Sequence, residues 1–147
     1  MFPSLIPLVL ISTIQPLTPQ VGARAVPVFQ FPFTQISKLS DLPIALVRLR
    51  IEEKTPRLAE IGEDFNNGCV QDHRPSGRLL FAGQSNRYVI IAYEHGGYSV
   101  SSIFEIFELQ GGFAKRVDRG FLPDDIRSLP AFMSSEGTGA FSKFRRF

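Results

Sequence analysis

One cysteine, two histidines and not a single charged side chain before Arg24 mark a chain of 147 residues that is poor in chemistry-bearing groups. A lone thiol, Cys69, cannot close an internal disulfide, so stability has to come from an apolar core. No cysteine follows the apolar N-terminal run, which leaves no site for an N-terminal lipid anchor. Structural zinc usually takes four Cys or His ligands in spaced pairs, and the chain has three such residues in total. No serine lies in a nucleophile-elbow pattern, and no glycine-rich loop leads into a helix to cradle phosphate. An excess of one charge is missing too: 16 Lys and Arg face 14 acids, for a net +2. Those charges are dispersed, so the basic face that nucleic-acid binding requires is absent and no nucleic-acid partner is expected. No motif implies a cofactor.

What is present begins with M-F-P-S-L-I-P-L-V-L-I-S-T-I, followed by the small-x-small triplet Ala23-Arg24-Ala25. An apolar stretch ahead of such a triplet has the form of a secretory signal, although a basic start is missing. Pro3, Pro7 and Pro16 interrupt the run, which is also shorter than the roughly 20 residues a membrane-spanning helix needs. Residues 1–25 are therefore expected to be a signal peptide. Residues 26–147 would then be the mature chain, periplasmic or secreted, with no stable membrane insertion after cleavage. Loss of Arg24 leaves fifteen basic residues against fourteen acids, a net charge of +1. A 44% hydrophobic and 20% charged composition fits one small globular domain. The C-terminal F-S-K-F-R-R-F, with Lys143, Arg145 and Arg146 among phenylalanines, reads as a flexible tail.

V-P-V-F-Q-F-P-F-T-Q, residues 26–35, reads as an extended segment at a sheet edge. Ser40 or Asp41 is placed to cap a helix from Pro43 to Lys54, with Pro43 in its first turn and Pro56 beyond its end. The alternation of Val47, Leu49 and Ile51 with Arg48, Arg50 and Glu52 is the competing signal of a half-buried strand. R-L-A-E-I-G is expected to make a short helical turn closed by Gly62.

From Arg78 onward, four runs rich in β-branched and aromatic residues are separated by Q-S-N, H-G-G-Y and Q-G-G, the pattern of an antiparallel meander. Gly96-Gly97 and Gly111-Gly112 are expected to supply the positive φ angles of tight hairpins. Val89, Ile91 and Tyr93 fall on one face, with Tyr88, Ile90 and Ala92 on the other. Both faces should be covered, one by the helix and the other by a second layer or a partner. Asp124 and Asp125 favour a short helix that ends before Pro130, and the small polar run after it should be mobile. The fold class expected is α+β: an antiparallel β-meander of about four strands, one main N-terminal helix and short helical turns.

Chemistry has few places to reside. Cys69, Asp72, His73, Glu94 and His95 are the plausible ligands or catalytic groups. A small hydrolase or metal-dependent enzyme built on Cys69, His73, Glu94 and His95 would need them to converge in one cleft. Glu94 with Glu105 or Glu108 could form a glycosidase-like carboxylate pair, but exposed strand positions account for those acids without chemistry.

G-C-V followed by R-L-L-F-A-G-Q-S, the Y-E-H-G-G turn and the strand S-I-F-E-I-F-E-L resemble small exported proteins of Gram-negative bacteria that carry a signal, a short helix and a β-meander. The resemblance covers about half of the mature chain and implies location and architecture, with no activity or catalytic residues. The reading favoured is a small exported binding protein without a catalytic or metal site. It would meet another protein or a cell-envelope component through Tyr93, Glu94, His95 and Tyr98 at the hairpin, with Arg87 nearby. An inhibitor-like role toward a secreted or cell-wall enzyme fits that reading. The oligomeric state is left open.

Overall fold

The computed structural model describes residues 32–70 and 72–137. The expected signal peptide, the start of the 26–35 segment and the C-terminal tail lie outside the described residues. Six strands make one sheet: β1 (Thr34–Ile36), β2 (Leu58–Ala59), β3 (Gly77–Gln84), β4 (Tyr88–His95), β5 (Ser101–Gln110) and β6 (Phe113–Phe121). Two helices accompany it, α1 (Ile44–Glu52) and α2 (Leu129–Gly137). The order is β1-β3-β4-β5-β6, and β2 pairs with β3 outside that path. All pairings are antiparallel except the short parallel contact of β2 with β3. An α+β fold with a central meander is thus present, with two more strands than the sequence indicates and two helices of equal length.

The β5–β6 connection has the expected form, because Gly111 at φ +54° and Gly112 at φ +88° make a two-residue turn with both central angles positive. The β4–β5 connection differs. Five residues, 96–100, join the strands. Only Gly97 has positive φ, at +155°. Gly96 is needed for a different reason: a Cβ there would lie 2.2 Å from the Asn66 carbonyl oxygen and 2.7 Å from Asn67 Cα. The hairpin end is packed against the 66–67 backbone.

β4 is buried along both faces, as its near-continuous apolar run requires. On one face Val89, Ile91 and Tyr93 pack with Leu79, Ile103 and Phe107 under Leu46 of α1. On the other, Tyr88, Ile90 and Ala92 pack with Phe81, Phe104 and Ile106 under Leu129 and Phe132 of α2. Phe132 is wholly buried, with its ring 5.3 Å from Phe104 and 5.8 Å from Phe81. The second layer is therefore supplied by the chain itself.

Three local expectations are corrected. Residues 58–59 form β2 rather than a helical turn; Leu58 pairs with Gly77 of β3, and the Gly77 amide donates to the Arg57 carbonyl. Residues 123–128 form turns rather than a helix, and α2 begins at Leu129 and runs through Pro130 instead of a helix ending before it. Proline is tolerated in a first helical turn because its missing N–H would have no partner there. The Ser128 hydroxyl accepts from the Ala131 amide at 3.4 Å, and its carbonyl accepts from Phe132 at 3.0 Å. Residues 134–137, expected to be mobile, belong to that helix.

The 44–52 run is helical rather than extended. Neither Ser40 nor Asp41 caps it, since both lie in a 3₁₀ turn at Leu39–Asp41 and Pro43 is the residue before the helix. At its other end, the Lys54 amide donates to the Ile51 carbonyl at 3.1 Å and the Thr55 amide to the Arg50 carbonyl at 3.0 Å. That is a Schellman closure. Its left-handed position, usually glycine, is occupied by Lys54 at φ +51°.

Candidate functional site

The residues singled out at the hairpin do not form one surface. Tyr93 is fully buried in the core beneath α1, as its shared parity with Val89 and Ile91 dictates, and so cannot contribute its ring to a surface. Arg87 precedes β4 while His95 ends it. Eight residues of strand at ~3.3 Å per residue put them about 26 Å apart. Arg87 pairs instead with Glu108 across the strand and lies over the Tyr88 ring. Tyr98 is completely exposed on the 96–100 loop, and His95 is half-buried between Gly77 and Ser101.

Glu94 is saturated by arginine. Its Oε2 accepts from Arg78 at 2.6 Å and its Oε1 from Arg127 at 3.0 Å, while Arg127 also donates to the Ser102 hydroxyl at 3.1 Å. Arg78 is its cross-strand partner and stacks on Phe65 at 4.9 Å. A carboxylate with both oxygens held by guanidinium groups suits fastening of the 122–128 turn segment to the sheet better than proton transfer.

The groups of the enzyme alternative are similarly scattered in their engagements. Cys69 and His73 are exposed on the loops before β3, and the Arg57 guanidinium donates to the His73 backbone carbonyl. Asp72 is tied to Arg74, whose hydrogen bonds hold its carboxyl below the usual carboxylate range. Among the described residues, no three His, Cys, Asp or Glu side chains come together in a way that could hold a metal ion.

The acid that matters most to the architecture is one taken for an exposed strand residue. Glu105 is wholly buried at the centre of β5, on the α1 face. Its Oε2 accepts from Arg50 Nη1 at 2.9 Å, and its Oε1 lies 3.1 Å from Arg116 Nε and 3.3 Å from Arg119 Nε. These last two are ion-pair contacts outside hydrogen-bond geometry. Arg116 also pairs with Glu53 at the end of α1. Residues three apart on a regular strand face opposite sides. Here a β-bulge interrupts the register, with Ile106 opposite Asp118 but Phe107 opposite Arg116, so both arginines reach the same carboxylate. Arg50 lies 5.1 Å from the Tyr93 ring centre. Burial, with Glu105 alongside, pushes the Tyr93 phenol above its usual value. An acid in register with Ile103 and Phe107 was the available sign of this cluster.

Arg50 also borders a groove of about 390 Å³ along α1. Leu42, Val47, Ile51 and Leu58 give it an apolar wall, and Lys54 and Arg57 add cationic groups to its lining. Ile44 and Ile51, 64% and 72% exposed, extend the apolar stripe of the helix into solvent. Its volume lies at the lower end of those of small-molecule sites, roughly 300–1,000 Å³. No helix among the described residues is long and apolar enough to cross a membrane. No family model, no curated protein and no solved structure matches the chain.

Proposed function

We infer that the chain is a small exported protein that acts by binding, and that the groove beside α1 is its binding site. The observation that carries this reading is the groove itself, an apolar concavity with a few cationic groups in its lining, the composition common to ligand sites. Ile51 supports it further, because a large apolar side chain left 72% exposed at the mouth of a concavity gains burial when the concavity fills. The hairpin end, with Tyr98 and His95, is left as an accessory contact surface. A partner protein or a cell-envelope component remains the class of target, and inhibition of a secreted enzyme is one way such binding would act.

Titration of the mature chain with the neutral dye Nile red tests the site. One saturable fluorescence increase is expected, weakened at least fivefold by Ile51→Asn, whose exposed position leaves folding intact. Equal dye binding by Ile51→Asn would exclude the groove. Hydrolysis of a chromogenic ester, lost together with Cys69→Ala or His95→Gln, would favour the enzyme alternative instead. Export is tested by N-terminal sequencing, which should begin at Val26; intact Met1 in the cytosol would oppose it.

A further inference from the structure

Resting on the groove as the binding site, we propose that its ligand is a small anionic amphiphile, a monocarboxylate with an apolar tail. The tail would lie along Val47, Ile51 and Leu58, and the carboxylate would meet Lys54 and Arg57.

Charge complementarity selects this class. Lys54 makes no ion pair among the described residues. Arg57 gives one guanidinium nitrogen to the neutral His73 carbonyl, which leaves its charge uncompensated. Among the described residues no acid lines the groove: Glu53 pairs with Arg116, Glu52 borders a separate pocket beside Gly112 and Phe113, and the Glu60 carboxylate accepts from the Leu39 amide at 3.0 and 3.1 Å. At the end of α1 the Arg50 carbonyl accepts from both the Thr55 amide and hydroxyl at 3.0 Å, and the Ile51 carbonyl accepts from the Lys54 amide at 3.1 Å. Arg50, also in the lining, is 8% exposed and fixed by Glu105 and the Pro56 carbonyl.

Backbone strain points to the same residue. A side chain in the left-handed region is strained relative to glycine. Lys54 holds that conformation at φ +51° where glycine would close the helix without strain. Strained residues cluster where a side chain has a task, and Lys54 lines the apolar groove. The limited volume favours a single tail over a partner helix, whose diameter with side chains is ~10 Å.

Isothermal titration of the mature chain with decanoate, decanol and decylamine tests the assignment. Decanoate should bind with one site and at least tenfold more tightly than decanol, with decylamine weakest. Lys54→Glu should weaken decanoate at least tenfold and leave decanol unchanged, while circular dichroism shows the fold retained. Equal affinities for decanoate and decanol, or an unaltered decanoate affinity in Lys54→Glu, would overturn the anionic ligand but leave apolar binding in place. Failure of all three probes together with an unsaturable Nile red response would overturn the groove as a site.

Discussion

Arg50 and Glu105, 55 residues apart in the chain, meet at 2.9 Å beneath α1 with side chains only 9% and 1% exposed. One carboxylate there faces three guanidinium groups, and the pairing ties the helix to the centre of the sheet. Breaking a buried ion pair from one side leaves a desolvated charge without compensation, at a cost of about 3–5 kcal/mol. Glu105→Gln should therefore lower the unfolding free energy by about 3 kcal/mol or more in urea titration. A double-mutant cycle with Arg50→Met should show coupling above about 1 kcal/mol; additivity would mean that the pair contributes nothing specific.

Tyr93 Oη is buried and receives no hydrogen bond of normal geometry among the described residues, although the Arg50 guanidinium lies beside it. An unsatisfied buried hydroxyl costs about 1–3 kcal/mol, so Tyr93→Phe should leave stability unchanged or raise it by about 1 kcal/mol at pH 7. The phenol is held above its usual value of 10.0. Its contribution is fully present below that pH and is lost as pH rises through the folded value, because the unfolded chain releases the proton first. Wild type should lose stability above about pH 10, and Tyr93→Phe should lose less, as followed by chemical denaturation from pH 8 to 11.

Gly96 and Gly111 should respond differently to an added side chain. A methyl at position 96 would press on the Asn66 carbonyl at 2.2 Å, with the obstacle being backbone rather than a mobile side chain. Overpacking of this kind costs about 1–3 kcal/mol, and Gly96→Ala should reach the upper end. Gly111 has open space around it and φ +54°, so Gly111→Asn should be nearly neutral. Thermal unfolding of the two variants separates packing from turn conformation.

Lys54→Gly should raise stability by about 0.5–1 kcal/mol by relieving the left-handed strain, with part of the gain offset by the freer unfolded chain. The same substitution should weaken decanoate binding. A variant that gains stability and loses ligand would mark a position kept for function.

Much of the fold could be read from the sequence because the meander strands are long and their turns glycine-rich. The parity of Val89, Ile91 and Tyr93 was legible, and it already placed Tyr93 inside; treating it as a surface residue set side-chain type above register. β2 could not be foreseen, since two residues carry no periodicity and their strand state depends on Gly77. Pro130 is ambiguous in principle, as proline suits both the residue after a helix and its first turn. The groove escaped notice because its walls come from α1, the preceding 3₁₀ turn and β2 together. The Glu105 cluster depended on a bulge that alternation alone does not reveal.

That bulge also shapes the edge of the sheet. Among the described residues β6 is the outermost strand at one end of the sheet, nine residues long, and such an edge ordinarily offers a template for another chain's strand. The register break between Ile106 and Phe107 interrupts its regularity midway, and Lys115, Arg116, Asp118 and Arg119 crowd four charges into five residues. An incoming strand would find a kinked ladder with charges to desolvate, so the irregularity that lets two arginines share one buried carboxylate also guards the edge against sheet-to-sheet aggregation.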